Sequence, residues 1–211
     1  ARVPSPRRRL NLDVFERLVN PDALERLLAQ RSRRTLAIPD FRSAAVLVAV
    51  TTGTQPELIL TRRSATLPTH RGQIAFPGGK LEAGEDAVQA GLREAFEEVA
   101  LEPSAVRVLG LMHDVWTPQG FQVTPVLASI APNATLEPQA GEVAALLRVP
   151  LADLRQITPH FDLRREPPQG RWPAGVTGPR TILHYDWRGV DIWGMTAFVI
   201  EELLTLLDQV Q

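Results

Sequence analysis

The stretch from Phe76 to Leu101, FPGGKLEAGEDAVQAGLREAFEEVAL, constrains this chain most. Within it, Glu85 to Val99 places Val88, Leu92, Ala95, Phe96 and Val99 at steps of four, three, one and three residues, the spacing of a single helical stripe facing a core. The runs on either side have a different character. SAAVLVAVTT and ELILTRR, separated by the turn-rich GTQP, read as β-strands, and GQIAF as a third short one. After the helix, VRVLGLMHDVW, FQVTPVLASIA and EVAALLRV supply further strands, and PLADL a short helix opening at proline. RTILHYDW and VDIW predict a hairpin around Arg188-Gly189, and MTAFVIEELLTLLDQV predicts an amphipathic closing helix. At the other end, NPDALERLLAQ predicts a helix capped by Asn20, with Pro21 at its first position. Mixed strands with a middle and a terminal helix argue for an α/β or α+β sandwich.

With 211 residues, 44% of them hydrophobic, the chain can bury a sizeable core. One domain over residues 1–211 is expected, with an N-terminal helical extension at about 11–33 and a core at about 43–207. Residues 165–179, REPPQGRWPAGVTGP, are too rich in Pro and Gly for regular structure and read as a long surface loop. The formal net charge of -1 gives no global attraction to nucleic acid or an anionic membrane, so any phosphate binding must be local. No run approaches the roughly 18 apolar residues of a membrane span. The chain has no cysteine, which removes thiolate ligands and nucleophiles and suits a reducing, cytoplasmic setting. Hard oxygen ligands remain.

The acids of the central helix fall into two groups. At about 100° per residue, Glu94, Glu97 and Glu98 lie within roughly a third of the circumference, opposite the apolar stripe. A solvated face usually intersperses basic residues, because like charges at i,i+3 and i,i+4 repel. Here only Arg93 offsets them, one turn before Glu97, and it can orient that carboxylate. A divalent cation between Glu94 and Glu98 would convert repulsion into coordination, and oxygen-only chemistry suits Mg²⁺ or Mn²⁺. Spacing alone leaves both a wet surface and a cation cage open. Glu85 lies half a turn away and is expected at the first turn beside Asp86, in a structural role. Gly78-Gly79 signals a sharp bend or a close backbone approach. PGGK is not a Walker loop, since Lys80 is followed by Leu81 rather than Ser or Thr.

The order Gly79, five residues, Glu85, seven residues, then Arg93-Glu94-Ala95-Phe96-Glu97-Glu98-Val99-Ala100-Leu101 resembles the signature of the Nudix hydrolases. That pattern asks for glycine where this chain has Ala100, so an altered helix end is expected there. The resemblance implies an α/β/α sandwich with a mixed β-sheet and Mg²⁺- or Mn²⁺-dependent hydrolysis of a nucleoside diphosphate linked to another moiety. It makes Glu94 and Glu98 metal ligands, Glu97 an additional or water-bridged ligand held by Arg93, and the Gly78 carbonyl a further ligand. Arg93 and Glu97 are the catalytic assignments. Glu142, at the head of a strand, is the candidate general base, with His113 and Asp114 as outside choices.

A second segment narrows the substrate. ILTRRSATLPTHRGQIAFPGG, residues 59–79, resembles the segment marking the coenzyme A pyrophosphatase branch of that family. Thr61, Arg63, Ser64, Gly72 and Phe76 to Gly79 fit, whereas Pro68 stands where arginine is usual. Arg62, Arg63, His70 and Gln73 are the substrate-binding candidates, since arginine recognises phosphate bidentately. DIWGMTA, residues 191–197, also resembles a late segment of the branch, with Trp193 either in the core or shaping a pocket. The implied reaction cleaves coenzyme A or acyl-CoA. The alternatives are another nucleoside diphosphate substrate, such as ADP-ribose or a dinucleotide polyphosphate, and a non-catalytic nucleotide sensor.

Overall fold

A computed structural model describes residues 19–66, 71–164 and 179–210. In chain order the elements are α1 (Pro21–Gln30), β1 (Arg42–Thr51), β2 (Glu57–Arg63), β3 (Ile74–Ala75) and β4 (Gly78–Lys80). Then come α2 (Ala87–Val99), β5 (Val106–Leu111), β6 (Val115–Thr117), β7 (Phe121–Ile130), β8 (Val143–Pro150) and α3 (Leu151–Gln156). The chain closes with β9 (His160–Arg164), β10 (Arg180–Trp187), β11 (Val190–Trp193) and α4 (Met195–Gln209).

The run at the centre of β1 has no polar residue from Ala44 to Val50, which suits a strand covered on both faces. Val46, Val48 and Val50 face one apolar cluster, with Leu24 and Leu28 of α1 and Val199, Ile200, Leu203 and Leu207 of α4. Leu47 and Ala49 face the other, with Ala95 and Val99 of α2 and Val126, Ala128 and Ile130 of β7. Helices on both sides of one sheet give the α/β/α sandwich. The sheet is mixed: β1 runs parallel to β7 and antiparallel to β2 and β4, while β3 and β8 flank β2 and β5 flanks β7. A second sheet, β11-β10-β9, packs Leu183, Tyr185 and Ile192 into the α4 side of the core.

Several local expectations need correction. The third strand is only Ile74–Ala75, and the two glycines after Pro77 do not turn away. They form β4, paired to β1 with Gly78 opposite Val46. A Cβ on Gly78 would lie 2.4 Å from the Ala45 carbonyl oxygen, so only glycine permits this approach. Strand β9 lies in a segment with no expected element. Residues 1–18 of the N-terminal extension and 165–178 of the Pro/Gly-rich loop lie outside the described residues. His113 and Asp114, raised as bases, instead fasten the segment after α1. Asp114 pairs with Arg33 and accepts the Leu36 N–H at 2.8 Å, and His113 Nδ1 accepts the Arg34 N–H at 3.0 Å.

Helix α2 begins two residues later than expected, because Asp86 is its cap. The Asp86 carboxylate accepts the Gln89 N–H and the Gln89 side chain accepts the Asp86 N–H, both at 2.9 Å, which closes a capping box. Its other end is also corrected. Ala100 takes the left-handed conformation that glycine would supply, at φ 52° and ψ 30°, and its N–H reaches the Phe96 carbonyl at 2.9 Å. The geometry is unchanged and the alanine carries the strain, about 1 kcal/mol for a side chain in this region. Ala100→Gly should therefore raise unfolding stability by roughly 0.5–1 kcal/mol in a denaturant titration; a loss of stability would contradict the strained cap.

Candidate functional site

The sheet-facing side of α2 is rotated from the stripe read in the sequence. Phe96, expected in the core, is 46% exposed, while Glu98, expected on the outward face, is only 5% exposed. The buried face of α2 consists of Ala90, Gly91, Ala95, Glu98 and Val99, small residues apart from Glu98 and Val99, and Glu94 and Glu98 lie toward β4. There the second glycine meets them. A Cβ on Gly79 would stand 2.2 Å from Glu94 Oε1, and the Gly78 N–H faces Glu98 Oε2 at 3.4 Å. The double glycine thus lets a sheet edge lie against two carboxylates.

Arg93 ties the acids together. Its Nε and Nη2 donate to the two oxygens of Glu85 at 2.8 and 3.0 Å, a bidentate pair. Its Nη1 donates to Glu94 Oε1 at 3.0 Å and Glu97 Oε2 at 3.1 Å, and Nη2 also reaches the Lys80 carbonyl at 3.1 Å. Glu85 precedes the helix, so the half-turn offset of a straight helix does not keep it from the cluster. The bond from Arg93, with a second from the Glu82 N–H, pushes its carboxyl down to about 2.

The neighbouring carboxylates are pushed the other way. Burial raises Glu94, and the Arg93 bond and charge only partly offset it. Burial raises Glu98 further, from the ordinary 4.5 to about 7; Arg63 opposes this, while Glu94 and Glu142 add to it by repulsion. Arg63 Nη1 is 3.9 Å from Glu98 Oε1, too long for a strong hydrogen bond. The donors available here are all oxygens, a set that fits Mg²⁺ or Mn²⁺. Among the described residues, no three acidic or histidine side chains already form a closed cage, and Arg93 and Arg63 stand among the carboxylates.

The structure brings Arg93, Glu94, Glu97, Glu98 and Gly78 together, with Glu97 the most exposed of the three glutamates. Glu142 is exposed at the head of β8, close enough for its charge to act on Glu94 and Glu98. Its carbonyl accepts the Ser64 N–H at 2.8 Å, which joins β8 to the end of β2. The two arginines of β2 separate. Arg63 lies beside Glu98, whereas Arg62 is exposed and follows Leu58 and Leu60 in the strand alternation, toward the α4 side. Gln73 is half-buried, and its carbonyl accepts the Arg63 N–H at 3.0 Å. His70 lies outside the described residues. Glu85 is the member of the cluster that sequence reasoning assigned only to the helix start; its place between Lys80 and Arg93 was the available signal.

The NUDIX domain family matches residues 41–170 of this chain. A protein of Cronobacter sakazakii described as uncharacterized Nudix hydrolase NudL is 39% identical over 195 residues, 87% of this chain and 94% of its own length. The chain belongs to the Nudix family. A NudL of the same description from Salmonella typhimurium is 38% identical over 199 residues, covering 92% of this chain and 94% of its own. Among solved structures, a Nudix hydrolase from M. smegmatis, RenU, matches with a TM-score of 0.46 and 25% identity over 54% of this chain and 73% of its own. The α2 cluster lies within the matched residues, and no helix among the described residues is long and apolar enough to cross a membrane.

Because the Glu98 shift is upward for an acid, its cost to folding is absent at low pH. It grows as pH rises from about 4.5 to about 7 and is complete above that. A shift of this size corresponds to about 3–4 kcal/mol. In chelator-treated protein, Glu98→Gln should be more stable than the parent at pH 8 by that order and nearly equal to it at pH 4.5, read by denaturant unfolding at both pH values. Equal stability at pH 8 would show that Glu98 is not a strained carboxylate.

Proposed function

We propose that this Nudix hydrolase cleaves the diphosphate of coenzyme A or acyl-CoA to 3'-phosphoadenosine 5'-phosphate and (acyl-)4'-phosphopantetheine, with Mg²⁺ or Mn²⁺ and in a cytoplasmic setting. The observation that carries the reading is Arg63. It belongs to the segment resembling the coenzyme A branch, it lies beside Glu98, and its buried Nε has no hydrogen-bond partner. A guanidinium with spare donor capacity next to carboxylates suits a phosphate arriving at that spot.

In this reading Glu94 and Glu98 hold the divalent ion, with Glu97 and the Gly78 carbonyl as further ligands. When bound, the ion would neutralise diphosphate charge and lower the pKa of an attacking water. Arg93 fixes Glu94 and Glu97 through hydrogen bonds anchored on Glu85, which keeps the ligands oriented before substrate arrives. Arg63 binds a phosphate oxygen through the accessible part of its guanidinium. Glu142 takes the proton of the water as it attacks phosphorus, and the bridging oxygen leaves with the other half of the substrate. Arg62 and Gln73 contact the substrate from the β2–β3 edge, and His70 belongs to the same binding group.

Incubation with coenzyme A and Mn²⁺ or Mg²⁺, with products identified by mass, should yield the two named halves. Glu98→Gln should lower kcat at least about a hundredfold while leaving the fold intact. Hydrolysis of ADP-ribose or dinucleotide polyphosphates with coenzyme A left whole would replace the substrate assignment. Binding of these nucleotides without turnover would point to a sensor.

A further inference from the structure

The β9-β10-β11 sheet turns Leu183, Tyr185 and Ile192 into the core, so strand alternation sends Ile182, His184, Asp191 and Trp193 to its other face. A solvent-side sheet face ordinarily carries polar residues. This one carries a row of rings, because His160, His184 and Trp193 are direct partners across three strands. His160 and His184 stack at 4.9 Å and 14°, and His184 and Trp193 at 6.2 Å and 17°. Beside the row is a cavity of about 240 Å³ lined by Arg164, Ile182, His184, Asp191 and Trp193, room for one planar heterocycle.

The polar groups here are the Arg164 guanidinium, the His184 ring and the Asp191 carboxylate. His184 is only 7% exposed, and its Nδ1 lies 3.0 Å from both oxygens of Asp191, which places the ring proton on Nδ1. Its buried Nε2 has no hydrogen-bond partner and faces Asp162 Oδ2 at 3.8 Å, beyond bonding distance. Arg164 donates to that same Asp162 oxygen at 3.0 Å. The cavity thus offers the Asp191 carboxylate as an acceptor beside the Arg164 guanidinium. Two hydrogen bonds and one strand pairing tie the end of this sheet to β3. The Gly194 N–H after Trp193 donates to the Leu183 carbonyl at 3.0 Å, and Thr196 Oγ1 donates to the Ile74 carbonyl at 3.1 Å. Ile74 stands opposite Arg62, and β3 leads through Phe76 and Pro77 to Gly78.

We propose that this cavity binds the base of the nucleotide substrate, an amino-bearing planar ring that stacks on the aromatic row and donates an amino hydrogen to the Asp191 carboxylate. The choice of adenine rests on the coenzyme A reading. Stacking on aromatic side chains supplies affinity for any base, and the acceptor-only Asp191 carboxylate favours rings that carry an exocyclic N–H donor.

Calorimetric titration of the full chain in EDTA separates this site from catalysis, using AMP, IMP and ribose 5-phosphate as probes. AMP should bind, IMP, with a carbonyl in place of the amino group, at least tenfold more weakly, and ribose 5-phosphate not measurably. Trp193→Leu should weaken AMP at least tenfold; if that variant does not fold, Asp191→Ala serves, and the probe comparison on the parent stands regardless. Equal binding of AMP and ribose 5-phosphate overturns the proposal, as does a folded Trp193→Leu protein that holds AMP as well as the parent. AMP binding with coenzyme A uncleaved would keep this site and discard the substrate reading. Coenzyme A cleavage with no preference for AMP over ribose 5-phosphate would discard this site alone.

Discussion

Glu98 is a carboxylate removed from water and set against a glycine amide at 3.4 Å and an arginine nitrogen at 3.9 Å. Neither contact is short enough to replace the hydration lost, and Glu94 and Glu142 add like charge. A protein selected for stability alone would place an apolar side chain there, since a buried, poorly paired charge costs several kcal/mol. The surrounding structure is arranged around keeping it in place. Gly78 brings β4 against β1, and Gly79 leaves room for the Glu94 carboxylate. A methyl group at either of the two β4 glycines would force something to move.

The remaining acids serve the same arrangement in a different way. Glu85 is the strong partner of Arg93, and through it Glu94 and Glu97 receive single, longer hydrogen bonds. Glu85 is thus saturated, whereas Glu94 and Glu97 each keep one oxygen without a bond from Arg93. The sandwich supplies the frame: β1, covered on both faces, holds β4 on one edge and β7 on the other, and α2 lies across β1, β4 and β7.

Much of this was legible in the sequence because it depends on local chemistry. The strands around a central helix, the Asn20 cap and the closing helix follow from periodicity and turn residues, and the family follows from the order of charged residues in α2. The rotation of α2 was not legible. Phe96 and Glu98 exchanged places because the face that packs on the sheet is made largely of small residues, Ala90, Gly91 and Ala95, which add little to an apolar stripe. Ala100 misled for the opposite reason, since propensity disfavours a left-handed alanine and tertiary packing imposes it. Arg62 and Arg63 read as one basic pair until the pleat placed them on opposite faces. The ring row of His160, His184 and Trp193 depends on pairing across three strands and is invisible along the chain.

The central claim is that the strained carboxylates of α2 are relieved by a divalent cation. Thermal unfolding at pH 8 across a series of free Mn²⁺ concentrations tests it most directly, because a ligand that binds only the folded state raises Tm with the logarithm of its concentration. The account predicts a steady rise for the parent protein and a flat response for Glu98→Gln. A parent Tm that does not move up to millimolar Mn²⁺ or Mg²⁺ would contradict it.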